Sequence, residues 1–170
     1  MGNGNDDKQA VIFTRTSFNK PENCFNYSLC YFEVKCIFEG ELNKNAKWMV
    51  IGLCSLCSGN RNWIRYFAKD PTISNEKCES FKIDKISWNN NDIFGCGLVY
   101  PPTNKMNEFP YVFFTQNGKQ IGKCVRGNAT SYKPYICLKC CSIEANFGND
   151  LDTKPFRYDI YKHSVLKEFY

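Results

Sequence analysis

The sequence predicts an all-β protein, built as a sandwich of two antiparallel sheets with a short helical segment at its C-terminus. Three observations carry that expectation. Aromatic residues make up 16% of the chain (14 Phe, 10 Tyr and 3 Trp), and bulky rings favour strands over helices. Apolar residues alternate with a period of two in short runs, and helical spacing is confined to the last ten residues. Gly, Pro and Asn punctuate the gaps between those runs. At 170 residues the chain can bury one sizeable core, and no repeat or linker divides it.

The first ten residues, "MGNGNDDKQA", are polar and Gly/Asn-rich and read as a disordered lead. "VIFTR" (11–15) is a short strand, followed by the loop "TSFNKPEN". "YFEVKCIF" (31–38) alternates cleanly, with Phe32, Val34, Cys36 and Phe38 on one face and Glu33 and Lys35 on the other. "WMVIGLC" (48–54) is almost wholly apolar, as a strand covered on both faces should be. Residues 55–78 read as a long irregular loop carrying Trp63, Tyr66 and Phe67. "SFKIDKI" and "DIFGCGLVY" resume strand character. In "YVFFTQNGKQIGK", Asn117-Gly118 tolerates the positive φ that a two-residue type I′ turn demands, so the stretch is a hairpin. "PYICL" and "SIEANF" are two more strands, and "YKHSVLKEFY" (161–170) offers a helical turn or two.

The net charge is +5, but Lys and Arg are scattered singly and form no stripe. A nucleic-acid interface is therefore not expected, and no apolar run is long enough for a membrane span. The opening "MGNGNDDKQAV" has neither a basic n-region nor an apolar h-region, and lacks the Ser/Thr of a myristoylation signal. A soluble monomer is the expectation.

Chemistry is thinly represented. The sequence holds one histidine, His163, which removes most designs pairing a Cys or Ser nucleophile with an imidazole base. No carboxylate pair or phosphate-cradling glycine loop stands out, so an enzyme is not expected and no cofactor is implied. The eleven cysteines are odd in number, and Cys36, Cys54, Cys96 and Cys137 sit within apolar runs as small core residues would. A rival reading takes the two C-x2-C pairs, Cys54/Cys57 and Cys137/Cys140 with Cys141 adjacent, as ligands of a structural zinc. Two sequons, at Asn26 and Asn128, matter only in a secretory lumen.

The ordered motifs "YFEV", "IGLC", "NDIFGCGLVY", "VFFTQNGKQIG" and "IEANFG" resemble those of a SPRY domain of the RanBPM-like kind. The phrases "YPPTNKMNEFPYVFFTQNGKQIGK" and "SIEANFGNDLDTKPFRYDI" look most like the SPRYSEC effectors secreted by potato cyst nematodes. The resemblance covers residues 11–160 and leaves 161–170 as a tail. It implies a SPRY-type sandwich in which the hairpin aromatics fill the core between the sheets. It implies a non-enzymatic protein-binding module that leaves the parasite and acts in the host cell cytoplasm and nucleus. On this reading the protein is secreted by the parasite, with its signal peptide expected to be absent from the chain as given. Its partners would be host plant proteins, among them immune receptors or their regulators.

The same resemblance places partner binding on loops at one end of the sandwich. Carried onto this sequence, the candidates are Asn19, Lys20 and Pro21; Lys44 and Lys47; Arg61, Trp63, Arg65, Tyr66 and Phe67; and Lys139, Cys140 and Cys141. Those loops hold seven basic residues against three acidic ones, so a converged loop face would be basic with aromatic anchors. An intracellular RanBPM-like adaptor is the alternative within the same resemblance, and attached LisH or CTLH-type domains would mark it.

Overall fold

The computed structural model describes residues 9–39, 46–57, 60–84, 86–105, 107–125 and 129–165. Twelve strands account for nearly all of its regular structure: β1 (Ala10–Phe13), β2 (Phe18–Asn19), β3 (Ser28–Phe38), β4 (Trp48–Cys57), β5 (Asn60–Phe67), β6 (Thr72–Ser74), β7 (Ser80–Lys82), β8 (Ile93–Tyr100), β9 (Tyr111–Gln116), β10 (Lys119–Val125), β11 (Ser131–Lys139) and β12 (Cys141–Asn146). Ile160–Lys162 forms a 3₁₀ turn, capped by Asp159. The strands form two antiparallel sheets. One has seven strands in the order β1-β11-β4-β5-β6-β7 with β2 beside β11, and the other five in the order β10-β9-β8-β3-β12.

Period-two alternation builds the layer between the sheets. Phe32, Val34 and Cys36 of β3, and Phe94, Cys96 and Leu98 of β8, point inward with no exposed surface. They meet Met49, Ile51 and Leu53 of β4 and Ile64 and Tyr66 of β5 in one continuous core. Residues 55–78 are therefore not an irregular loop. β4 runs on to Cys57, and β5 pairs with it from Cys57↔Asn60 to Val50↔Phe67. Bulky side chains on both faces of "NWIRYF" hide the alternation, because Trp63 and Phe67 share the outer face while Ile64 and Tyr66 go inward.

The Asn117-Gly118 hairpin forms as the sequence predicts, with φ of 50° and 80° at its two central residues. Only one of its two phenylalanines enters the core between the sheets. Phe114 does so, whereas Phe113 points to the opposite face of the five-stranded sheet. Adjacent residues of a strand cannot share a face, so the expectation that both rings fill the inner core is corrected.

On that outer face Phe113 joins Tyr31, Val99 and Tyr111, and the C-terminal segment covers them with Phe156, Tyr158, Ile160 and Val165. Gly97 makes the packing feasible, since a Cβ there would lie 2.2 Å from the Phe113 ring. Glu33, expected on a polar outer face, is buried beneath this strap. Its carboxylate accepts the backbone N–H groups of Arg157 (2.7 Å) and Tyr158 (2.9 Å) and the hydroxyl of Tyr31 (2.8 Å). The chain thus covers one outer face of its sandwich with its own tail.

Candidate partner-binding face

The outer face of the seven-stranded sheet follows a different course. Strand register fixes which side chains it presents. Phe13↔Tyr135↔Gly52↔Arg65↔Ser74 forms one row across five strands, and Val11↔Cys137↔Val50↔Phe67↔Thr72↔Lys82 forms a row running on to β7. Lys133↔Cys54↔Trp63 lies on one side of them and Lys139↔Trp48 on the other. Tyr135, Val50, Cys54 and Cys137 are buried among Trp48, Trp63 and Phe67 in an apolar cluster of their own.

Aromatic contacts continue that cluster to the sheet edge. Trp63 meets Tyr135 edge-on at 4.6 Å between ring centres, and Phe13 lies 6.1 Å from each. Phe13 is 40% exposed, with Trp63 and Tyr135 beside it. The Arg61 guanidinium lies 5.7 Å above it, and that of Arg65 5.4 Å above Phe67. Stacking of this kind leaves the guanidinium charge available while its carbons cover ring surface. Beside Phe13, a cleft of about 340 Å³ opens between Ser17, Cys54, Arg61, Ser131 and Lys133.

Charge on this face has one sign. Its outward strand positions carry Arg61, Arg65, Lys82, Lys133 and Lys139, and none of them carries Asp or Glu. The ion pairs among the described residues are Lys35–Glu144, Lys105–Glu108 and Lys162–Asp159, so none of these five cations is neutralised by a carboxylate. Two polar atoms in the central row, the Tyr135 hydroxyl and Arg65 Nε, are buried without a hydrogen-bond partner. Burial pushes the Tyr135 phenol up, with the Arg65 charge partly opposing, so it remains a donor throughout the physiological range.

The nominated loop residues do not converge on one end. Asn19 pairs with Ser131, and Lys20 donates its N–H to the Thr130 carbonyl, which sets them with Arg61 and Lys133 at one end of the seven-stranded sheet. Lys139, Cys140, Cys141 and Lys47 gather at the other, around Trp48 and Phe38. Six residues of β11 separate Lys133 from Lys139, about 20 Å of strand. Arg61, Trp63, Arg65 and Phe67 are strand residues on the face between. Tyr66 is fully buried against Phe94 and Phe114, so it cannot touch a partner. Lys47 is buried too, its ammonium 4.7 Å over the Phe38 ring, as are Cys140 and Cys141. Pro21 is half-buried, and Lys44 lies outside the described residues.

Register also separates the two C-x2-C pairs. Cys137 faces Val50 on the adjacent strand, four residues from Cys54, which puts their backbones about 13 Å apart. Thiolates sharing a zinc sit roughly 4 Å from one another. Cys54 and Cys137 therefore cannot ligate one ion. The single histidine is also committed: His163 Nε2 and Nδ1 bond the hydroxyls of Tyr111 (2.8 Å) and Tyr158 (2.7 Å) under the strap.

The sequence carried a usable signal for the members it missed. "SYKPYICLK" alternates Lys133, Tyr135, Cys137 and Lys139 on one face, and Ser58-Gly59 punctuates β4 from β5 as a hairpin turn would. Phe13 reaches the face through the pairing of β1 with β11, a contact between segments more than a hundred residues apart.

No protein-family model matches the sequence, and no curated protein matches it. Among solved structures, the SPRY domain of human HERC1 superposes with a TM-score of 0.53 at 10% identity, over 83% of this chain and 84% of that one. A human SPRY domain gives 0.48 at 18% identity, over 82% and 95%, and the carbohydrate-binding module CBM66 of Bacillus subtilis 0.46 at 8%, over 83% and 80%. The fold is a SPRY-type sandwich.

Proposed function

We propose that this chain is a non-enzymatic protein-binding module, a secreted effector of a plant-parasitic nematode that binds host proteins and modulates plant immunity. Recognition by resistance receptors belongs to the same reading. The SPRY-type fold supports the module, and the phrases around Tyr100–Lys123 and Ser142–Ile160 support the effector by their resemblance to SPRYSEC proteins. One observation carries the location: an aromatic sheet face whose five cations make no ion pair among the described residues, on a sandwich that covers its other outer face with its own tail. Arg and aromatic side chains are the residues that dominate interface energetics.

Affinity capture from plant extract tests the proposal. The wild-type chain should retain a specific host protein that a folded Trp63→Ala variant releases. Retention of the same proteins by both chains, or of none by either, would remove the support for a host-binding site on this face.

A further inference from the structure

Resting on that reading, the geometry points to the chemistry of the partner. We propose that the outer face of the seven-stranded sheet takes an acidic segment of a protein, with one apolar side chain seated in the cleft beside Phe13. Carboxylates on either side of that anchor would meet Arg61, Lys133 and Arg65.

Three features favour a carboxylate-bearing peptide. The outward positions hold five cations and no acid, so a neutral or basic segment would leave their charge uncompensated. The cations stand over aromatic rings, the Arg61 guanidinium 5.7 Å above Phe13 and that of Arg65 5.4 Å above Phe67, which leaves their charge available to a partner. A carboxylate is the strongest acceptor a protein segment offers to such a guanidinium. The cleft wall combines the Phe13 ring and the Cys54 thiol with Arg61 and Lys133, an apolar floor rimmed by charge. Leu or Phe fits such a floor. An acidic polysaccharide would need partners for its many hydroxyls, and beyond Ser17 and Ser131 at the cleft the outward positions add little more than Thr72, Ser74 and Ser80.

The probe is a fluorescein-labelled synthetic peptide, Glu-Asp-Leu-Asp-Phe-Glu-Asp, compared by fluorescence anisotropy with its Gln/Asn twin and with an oligogalacturonate. The acidic peptide should bind at least about tenfold more tightly than the twin, and lose several-fold in affinity as salt rises from about 50 to about 300 mM. Arg61→Glu with Lys133→Glu should abolish that preference while the circular dichroism spectrum stays native. Lys133→Glu alone, at an exposed position, should weaken binding if the double variant fails to fold. Equal binding of the twin, no binding of either peptide, or preference for the oligogalacturonate would overturn the proposal. Extract capture that is lost in Trp63→Ala but indifferent to both charge reversals would sink this inference and leave the protein-binding reading standing.

Discussion

The imidazole of His163 stacks on the ring of Phe113, their centres 4.1 Å apart and their planes 21° from parallel. Through this contact and the two tyrosine hydroxyls, the C-terminal strap is fastened to the five-stranded sheet. Burial, with the Lys123 charge adding to it, holds the His163 pKa below its ordinary value of 6.5. The folded state thus prefers neutral imidazole, and the unfolded chain binds the proton more readily. Stability from this group is complete above pH 6.5 and falls as pH drops below that value through the folded pKa. The melting temperature of the wild type should decline between about pH 7 and pH 5, and His163→Gln should flatten that decline. An unchanged slope in the variant would mean that His163 does not report on the strap.

Phe113 and Phe114 are both fully buried, one under the strap and one between the sheets. Each change to Ala should cost about 3–5 kcal/mol in chemical denaturation. Their consequences should differ in place. Phe113→Ala should loosen amide-exchange protection at Arg157 and Tyr158, whose N–H groups bond Glu33, well before the sheets open. Equal loss of protection across both sheets would show that the strap is not a separate layer.

At the hairpin, Gly118 adopts φ of 80°, and a Cβ there would lie 2.7 Å from the Arg157 carbonyl oxygen. Asn117 beside it donates to the buried Asp92 at 2.8 Å and accepts from Ile93 N–H at 2.9 Å. Gly118→Val should therefore lose stability twice, by backbone strain of about 1–3 kcal/mol and by displacement of the strap. A melting temperature within a degree or two of wild type would contradict this.

How much of this was readable in the sequence depended on what each residue's neighbours were. β3, β8 and the hairpin were legible because one face of each strand is uniformly apolar or a turn dipeptide marks its end. β5 was not, since Trp63 and Phe67 outside and Ile64 and Tyr66 inside erase the contrast that periodicity needs. Glu33 looked solvated because its partners come from Arg157 and Tyr158, more than a hundred residues away. The candidate face shows the same division. Arg61, Trp63, Arg65 and Phe67 were nominated from sequence, but only strand pairing adds Phe13, Lys133 and Tyr135 and removes Tyr66.

Among the described residues, the exposed Cys78 and the buried Cys36, Cys96 and Cys124 carry unbridged thiols. Burial raises the Cys96 thiol well above its usual range and pushes Cys124 up to about 12. A hydrogen bond shared with Cys36 lowers Cys141 and raises Cys36. Alkylation of the native protein at pH 8 should modify Cys78 first and leave Cys96 and Cys124 unmodified until unfolding. Titration under denaturing, non-reducing conditions should then find most of the eleven thiols free. Three or more intact disulfides would contradict the arrangement.

The most direct test of the binding face is the binding kinetics, association and dissociation, of a captured host partner on four immobilised chains: wild type, Trp63→Ala, Arg61→Glu/Arg65→Glu and Lys119→Glu. Trp63 meets Tyr135 on the candidate face, whereas Lys119 lies on β10 of the other sheet. A desolvated aromatic anchor is worth about 2 kcal/mol or more, so Trp63→Ala should speed dissociation by about thirtyfold. The double charge reversal should chiefly slow association and reduce its salt dependence, because exposed charges act on encounter and orientation. Lys119→Glu should behave as wild type. If it weakened binding as much as the changes at Trp63, Arg61 and Arg65, the outer face of the seven-stranded sheet would not be the site.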